Sequence, residues 1–286
     1  MKLTTVKVDN EELAAILFGQ KVILIRDINE IAGANWSENI LSILQNGQLS
    51  QINSWYKRVG NKEITEMNRL VLESVTFAPL YRHPEKIWGV GMNYIDKAIE
   101  LSGKPPEEEP VIFMKPNSSL IGPEDDILLP YQSTQITAEA ELAIIIGKTC
   151  KNVEEADVPG VVAGFTTSLD MTAKDIHAKN PRYIQRAKSF DTFFSFGPYL
   201  TTIDEVKDVR RISVETKLNG EVYHSNTVSN MMYSPWWIVS FFSRIMTLHP
   251  GDVIMTGTPG SVLISDGDVV ESLVEGIGKL RNYSCE

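Results

Sequence analysis

Cysteine is scarce: only Cys150 and Cys285 occur in 286 residues, far apart and outside any CxxC spacing. That excludes a structural thiolate metal site and points to a reducing compartment. Basic runs are absent and the formal net charge is −10, which argues against a nucleic-acid-binding surface while leaving room for a locally positive pocket. No apolar run approaches the ~20 residues of a bilayer crossing; the most apolar stretches, 142–146 and 236–242, are far shorter. The opening residues, MKLTTVKVDNEEL, lack the charged-then-apolar pattern of a secretion signal. These absences predict a cytoplasmic protein with neither membrane nor nucleic acid as partner. No internal repeat or low-complexity segment is visible either.

What is present is an ordinary globular balance, 43% hydrophobic and 22% charged, in a chain long enough for one large domain and a smaller one. Residues 1–80 read as the smaller, an α+β unit. Strands are predicted at 2–8 and 21–25 from their β-branched content. Ser37 is placed to cap a helix whose Ile40, Leu41 and Leu44 share one face. Residues 70–77 alternate as a strand does, and Pro79 and Pro84 bracket the domain junction.

From 81 to 286, short β-rich segments separated by Gly/Pro turns dominate: 86–90, 111–114, 127–129, 139–147, 161–169, 213–218, 252–255 and 268–273. One helix has a clear start, with Ser234 as N-cap and Pro235 at its first position. It runs through Trp236, Trp237, Phe241 and Ile245. Many strands with few helices favour a mixed β architecture of the α+β class over a doubly wound sheet.

The most informative segment is Thr137-Ala-Glu-Ala-Glu-Leu-Ala-Ile-Ile-Ile-Gly147. Residues 142–146 are uniformly apolar, so the strand should be buried on both faces. Glu139 and Glu141 stand two apart and so point to one face. Two adjacent carboxylates at the end of a buried strand repel, unless a cation lies between them. Hard divalent ions with oxygen preference (Mg²⁺, Mn²⁺ or Ca²⁺) resolve that conflict. Asp170 closes a second apolar run, 161–169, and offers a third carboxylate. The alternative is that each acid pairs with a lysine or accepts backbone hydrogen bonds.

Eight blocks taken together resemble the fumarylacetoacetate hydrolase family, over roughly 88–282. In chain order they are Gly89-Val-Gly-Met-Asn-Tyr94, Phe113-Met-Lys-Pro116, Glu139-Ala-Glu-Leu-Ala with Ile146-Gly-Lys148, Asp170-Met-Thr-Ala-Lys-Asp175, Lys188-Ser-Phe-Asp-Thr-Phe193, Asn219-Gly-Glu221, Leu248-His-Pro-Gly-Asp-Val-Ile-Met-Thr-Gly-Thr-Pro259 and Gly276-Ile-Gly278. The resemblance implies a mixed β-roll behind a smaller N-terminal domain, a homodimer, and Glu139, Glu141 and Asp170 as metal ligands. It also implies that Lys188 lies near metal and substrate oxygens, where an ammonium stabilises the negative charge of an enolate. By the same resemblance Thr258 contacts the substrate carboxylate, and Asn93 and Tyr94 line the pocket mouth.

Three positions depart from the family pattern. Lys97 replaces the histidine that, with Glu100 on a lid helix, activates water in hydrolytic and decarboxylating relatives. Lysine is a poor general base at neutral pH unless burial lowers its pKa. Lys174 replaces a substrate-binding arginine, keeping the charge and losing the bidentate fork. His177 replaces a glutamine and is the candidate substitute acid/base, on what should be a short helix. His224 also falls near a family glutamine. The acidic segment Pro106-Glu-Glu-Glu-Pro110 reads as part of the mobile lid, a solvated face.

The function implied is a metal-dependent hydrolase, lyase or isomerase acting on a small 2-oxo or β-dicarbonyl acid through a stabilised enolate. Without the lid histidine, isomerase or decarboxylase chemistry gains on water-driven cleavage. The rival is a family member that binds metal and oxo acid without turnover.

Overall fold

The computed structural model describes residues 1–59, 69–96, 99 and 109–286. Strands dominate these residues and the helices are short; Pro235–Ile245 has 11 residues. The expected mixed β-roll takes the form of two sheets. At the centre of the larger, 13-stranded sheet lies the antiparallel pair Ile136–Ile146 and Val162–Ala173, called below the glutamate strand and the aspartate strand. Beyond the aspartate strand runs Phe194–Thr202, which in turn bonds Lys2–Val8. The sheet continues into Glu11–Phe18, Lys21–Leu24 and Leu70–Val71, so residues on both sides of position 80 share one hydrogen-bonded surface.

On its other side the glutamate strand meets Val253–Met255, followed by Ile87–Gly91 and Val111–Met114. Past that edge the chain turns through Lys115, and Leu120–Ile121 bonds back onto Phe194–Thr202 in parallel. This return rolls the sheet toward closure. A second sheet of five strands, ordered Glu221–Thr227, Ser213–Leu218, Val269–Val274, Gly278–Cys285 and Asp126–Leu128, packs over the central pair.

The glutamate strand is buried on both faces, as its apolar run predicts, and strand alternation divides it between two cores. Ala138, Ala140, Leu142, Ile144 and Ile146 pack with the second sheet and the Pro235–Ile245 helix. Ala143 and Ile145 join Leu3, Ile16 and Ile43 from the N-terminal segment. Glu139 and Glu141 fall on the same side as Ala143 and Ile145. Each fully buried Leu or Ile contributes about 1.5–3 kcal/mol, so the two acids sit in a strand held firmly from both sides.

Local details differ from the sequence reading where side chains compete for backbone groups. Asn39, not Ser37, caps the Ile40–Gln45 helix by accepting from the Ser42 amide at 3.1 Å, while the Ser37 hydroxyl accepts from Asn46. Residues 70–77 form two short strands broken by a 3₁₀ turn at Leu72–Ser74, whose Leu72 amide donates to Gln20. Asp170 lies inside its strand rather than at the end, because Ala138, Thr137 and Ile136 pair with Met171, Thr172 and Ala173. No helix among the described residues is long and apolar enough to cross a membrane. Both cysteines are free.

Candidate metal centre

Register builds the site. Glu139 stands directly opposite Asp170 across the central ladder, and Glu141 follows one pleat along, opposite Ser168. Cross-strand partners share a face. One carboxylate oxygen from each of Glu139, Glu141 and Asp170 therefore lies within 4.8 Å of the others. Asp170 and Glu141 are buried, at 0% and 2% exposure, and Glu139 is partly open.

The edge beside Glu141 is left open by the sheet itself. Ser261–Ile264 pairs with the glutamate strand at 136–139 and Val253–Met255 pairs with it at 143–145. Between them Thr256 still bonds the Leu142 carbonyl through its amide (3.0 Å) and hydroxyl (2.8 Å), and the chain leaves the ladder over residues 257–260. Its Gly257 amide donates to Glu141 Oε2 at 2.5 Å. Gly257 has φ +102°, and a Cβ there would come within 2.8 Å of the Asn93 Cβ, so glycine alone suits this approach. Asn93 clamps the loop: its amide donates to the carbonyls of Thr256 (2.7 Å) and Tyr233 (3.0 Å) and its oxygen accepts from the Tyr233 amide (2.8 Å).

Two lysines enter the carboxylate cluster, so the pairing alternative holds in part. Lys188 Nζ donates to Asp170 Oδ2, to Glu139 Oε2 at 3.0 Å and to Thr172 Oγ1 at 2.7 Å, and lies 4.4 Å from the centroid of the Phe113 ring. Lys115 Nζ lies 2.5 Å from Asp170 Oδ1 and donates to the carbonyls of Met171 (2.8 Å) and Phe193 (2.7 Å). Burial depresses the Lys188 pKa, but Asp170 and Glu139 outweigh it and hold the ammonium above its ordinary value. Burial takes Lys115 down to about 8, with Asp170 opposing and Lys188 reinforcing the fall. Glu141 is pushed well above the usual carboxylate range by burial first, then by Asp170 and Glu139.

These residues fit a hard divalent cation. The donors are all carboxylate oxygens. Asp170 Oδ1 is buried and paired with the Lys115 ammonium. The Tyr94 hydroxyl is buried and without a partner among the described residues, and its pKa is raised by burial and by the nearby charge of Glu141. Such a hydroxyl is expensive to leave unsatisfied, and a water bound to the cation would satisfy it.

Residues 86–283 match the family model described as Fumarylacetoacetate (FAA) hydrolase C-terminal. The chain belongs to this family. The human oxaloacetate tautomerase FAHD2A, a mitochondrial protein, is 37% identical over 217 residues, covering 73% of this chain and 69% of the relative. The 5-carboxymethyl-2-hydroxymuconate delta-isomerase from Mycobacterium smegmatis superposes with a TM-score of 0.76 at 31% identity, covering 100% of this chain and 98% of that one. The maleylpyruvate hydrolase of Sphingobium sp. SYK-6, in complex with manganese(II) and pyruvate, does so with a TM-score of 0.80 at 26% identity, covering 100% and 99%. The chain is thus a fumarylacetoacetate hydrolase family enzyme, of the hydrolase, lyase or isomerase kind.

Within this family frame the other singled-out residues fall at different places. His177 lies on the Lys174–Lys179 helix, half-buried. Burial, then the Lys188 charge, lowers its pKa while Glu139 opposes, so its ring is in electrostatic reach of the cluster. Lys174 opens the same helix and is exposed. Thr258 is buried and its hydroxyl donates to the Gly260 carbonyl at 3.0 Å. The His224 ring packs on Gly260 and bonds the carbonyl of Ser261, the ladder partner of Glu139 on that side, at 3.2 Å. Lys97, Glu100 and most of the acidic 106–110 segment lie outside the described residues.

Sequence reasoning missed Lys115, Thr172 and Gly257 as parts of the site. The signals were present. Lys115 closes an apolar strand inside one of the family blocks, and Thr172 follows Asp170 by two, hence on the same face.

Proposed function

We propose that the protein is a divalent-metal-dependent enzyme that moves a proton on a small 2-oxo acid through its enolate, a tautomerase or isomerase rather than a carbon–carbon hydrolase. The observation that carries this reading is the convergence of Glu139, Glu141, Asp170 and Lys188 in one buried cluster. Glu139, Glu141 and Asp170 would hold Mg²⁺ or Mn²⁺, with Ca²⁺ a weaker candidate. A bound cation of that kind supplies Lewis-acid polarisation of the 2-oxo group. The manganese(II) and pyruvate bound by the Sphingobium hydrolase support that assignment by analogy.

Lys188 then places an ammonium beside the oxygen on which enolate charge develops, in a site too dry to screen it. Lys174 and Thr258 are assigned to the substrate carboxylate, with Tyr94 and Asn93 shaping the mouth. The neutral His177 ring accepts or returns the proton at carbon, and Glu100 and Lys97 are the proposed assistants, on the resemblance alone. Lys97 in place of histidine removes the water-activating partner that hydrolysis needs, and the human relative's name, oxaloacetate tautomerase, points the same way. The two free cysteines keep the cytoplasm as the proposed compartment, and a homodimer is the proposed assembly.

The test follows the enol–keto conversion of oxaloacetate, with acylpyruvate cleavage and decarboxylation measured alongside. Conversion should require Mg²⁺ or Mn²⁺ and stop on chelation. A rate indifferent to chelation would remove the metal from the reaction. Oxalate binding to the metal-loaded protein, with no substrate turned over, would leave the non-catalytic binding reading instead.

A further inference from the structure

Lys115 is a buried charge that the mechanism above leaves unused. Its side chain is fully enclosed, and its own amide is pinned to the Ile87 carbonyl at 2.9 Å, where the roll closes. Bonding the Met171 and Phe193 carbonyls across the seam needs a donor but not a charge, and burying an ion is unfavourable unless it is paired. The pairing here is with Asp170, which already has Lys188 on its other oxygen. One aspartate thus carries a cation on each oxygen.

The count of charges gives this arrangement a consequence. With all three carboxylates ionised, as a bound cation requires of its ligands, they face two ammoniums and sum to one negative charge. A divalent cation would convert that to one positive charge, favourable to an oxo-acid anion. With a neutral residue at 115 the loaded centre would carry no net charge. We propose that Lys115 is a charge-balancing and positioning residue, which holds Asp170 in place and keeps the metal-loaded centre cationic toward an oxo-acid anion while weakening the centre's grip on the metal. The proposal rests on the metal-dependent oxo-acid reading given above.

A residue serving only to close the roll would, when replaced, loosen metal and anion together; a charge-balancing residue shifts them in opposite directions. The experiment is Lys115→Met, with Mn²⁺ affinity measured by electron paramagnetic resonance and oxalate affinity measured on the Mn²⁺-loaded protein. Mn²⁺ should bind roughly tenfold tighter and oxalate roughly tenfold weaker, the scale for one unit charge at close range in a partly screened site. Loss of both affinities in step overturns the proposal. Should the methionine variant fail to fold, Lys115→Gln, which keeps a donor for the Met171 and Phe193 carbonyls without the charge, decides by the same two affinities: opposite shifts support the proposal and a joint loss overturns it. If the wild-type protein binds no Mn²⁺ at all, the metal reading fails first, an outcome distinct from a failure at Lys115 alone.

Discussion

In the floor of the centre, Glu139, Glu141 and Asp170 stand on neighbouring strands of a sheet covered on both faces, and ladder register alone sets Asp170 against Glu139. In the rim, His177 and Lys174 ride on a six-residue helix, while Thr258 hangs in a loop held by Asn93 and Gly257. The floor is fixed by backbone hydrogen bonds, which any sequence that folds this way retains. The rim depends on individual side chains, and it holds Lys174 and His177, two of the positions read from the sequence as departures from the family pattern. The proposed function therefore puts the metal chemistry in the floor and the choice of reaction in the rim.

The sharpest attempt to break that division is Asp170→Asn, which keeps shape and removes one charge. Lys115 and Lys188 would then face an amide that cannot pair with them, and the cation would lose a ligand. Mn²⁺ affinity should fall by at least ~10²-fold and oxaloacetate conversion by roughly 10³-fold, beyond the 10–100-fold typical for partners one step removed from a metal. Thermal unfolding should be followed in parallel, since breaking a buried ion pair costs about 3–5 kcal/mol. Undiminished metal binding in a folded variant would mean that the floor is not the metal's seat.

His177→Gln comes next in expected size and concerns only the rim. It introduces the glutamine that the family resemblance implies there and should lower kcat by ~10²-fold, the scale for losing a proton-transfer group, with Mn²⁺ affinity unchanged. The pH profile provides a second reading. Burial, and then Lys188, keeps the His177 pKa below its ordinary 6.5, so the ring is neutral at pH 7 and competent as a base. Activity should therefore hold level down to about pH 6.5 and fall only at lower pH, as the lowered pKa is crossed. The glutamine variant should lack that acid limb. A base at Lys97 would instead make activity climb with rising pH, and an unchanged limb in the variant would clear His177 of the role.

The same division governs what could be read from sequence. The glutamate strand was legible because its apolar run and two-residue spacing dictate burial and a common face, whatever lies around it. The strand at Lys2–Val8 was legible from its β-branched content, but its partner, Phe194–Thr202, was not, since nothing local tells two segments so far apart that they pair. Asp170 was found, yet placed at the end of its strand; the pairing of Ala173 with Ile136 carries the ladder past it. Lys115 escaped for a related reason. A lysine after Val-Ile-Phe-Met looks like a strand leaving for solvent, and only the rolling of the sheet brings it over Met171 and Phe193. Periodicity reports which face a residue takes; closure decides what that face meets.

The smallest effect belongs to Lys174, and it tests whether the rim reads substrate at all. The residue opens the His177 helix with its amide bonded to the Gln135 carbonyl at 2.8 Å, and its side chain is exposed. An exposed cation binding a carboxylate acts equally on substrate and transition state, so it should appear in KM and not in kcat. Lys174→Ala should raise KM for oxaloacetate by about tenfold or less, in a salt-dependent manner, with kcat within about twofold. Lys174→Arg restores the planar fork that engages both carboxylate oxygens, and should bring KM below that of the wild-type protein. If neither variant moves KM, the carboxylate is held elsewhere, and the Thr256–Gly260 loop becomes its binding wall. If Lys174→Ala lowers kcat instead, the lysine belongs with His177 in handling the proton, and the rim is one functional unit instead of two separable ones.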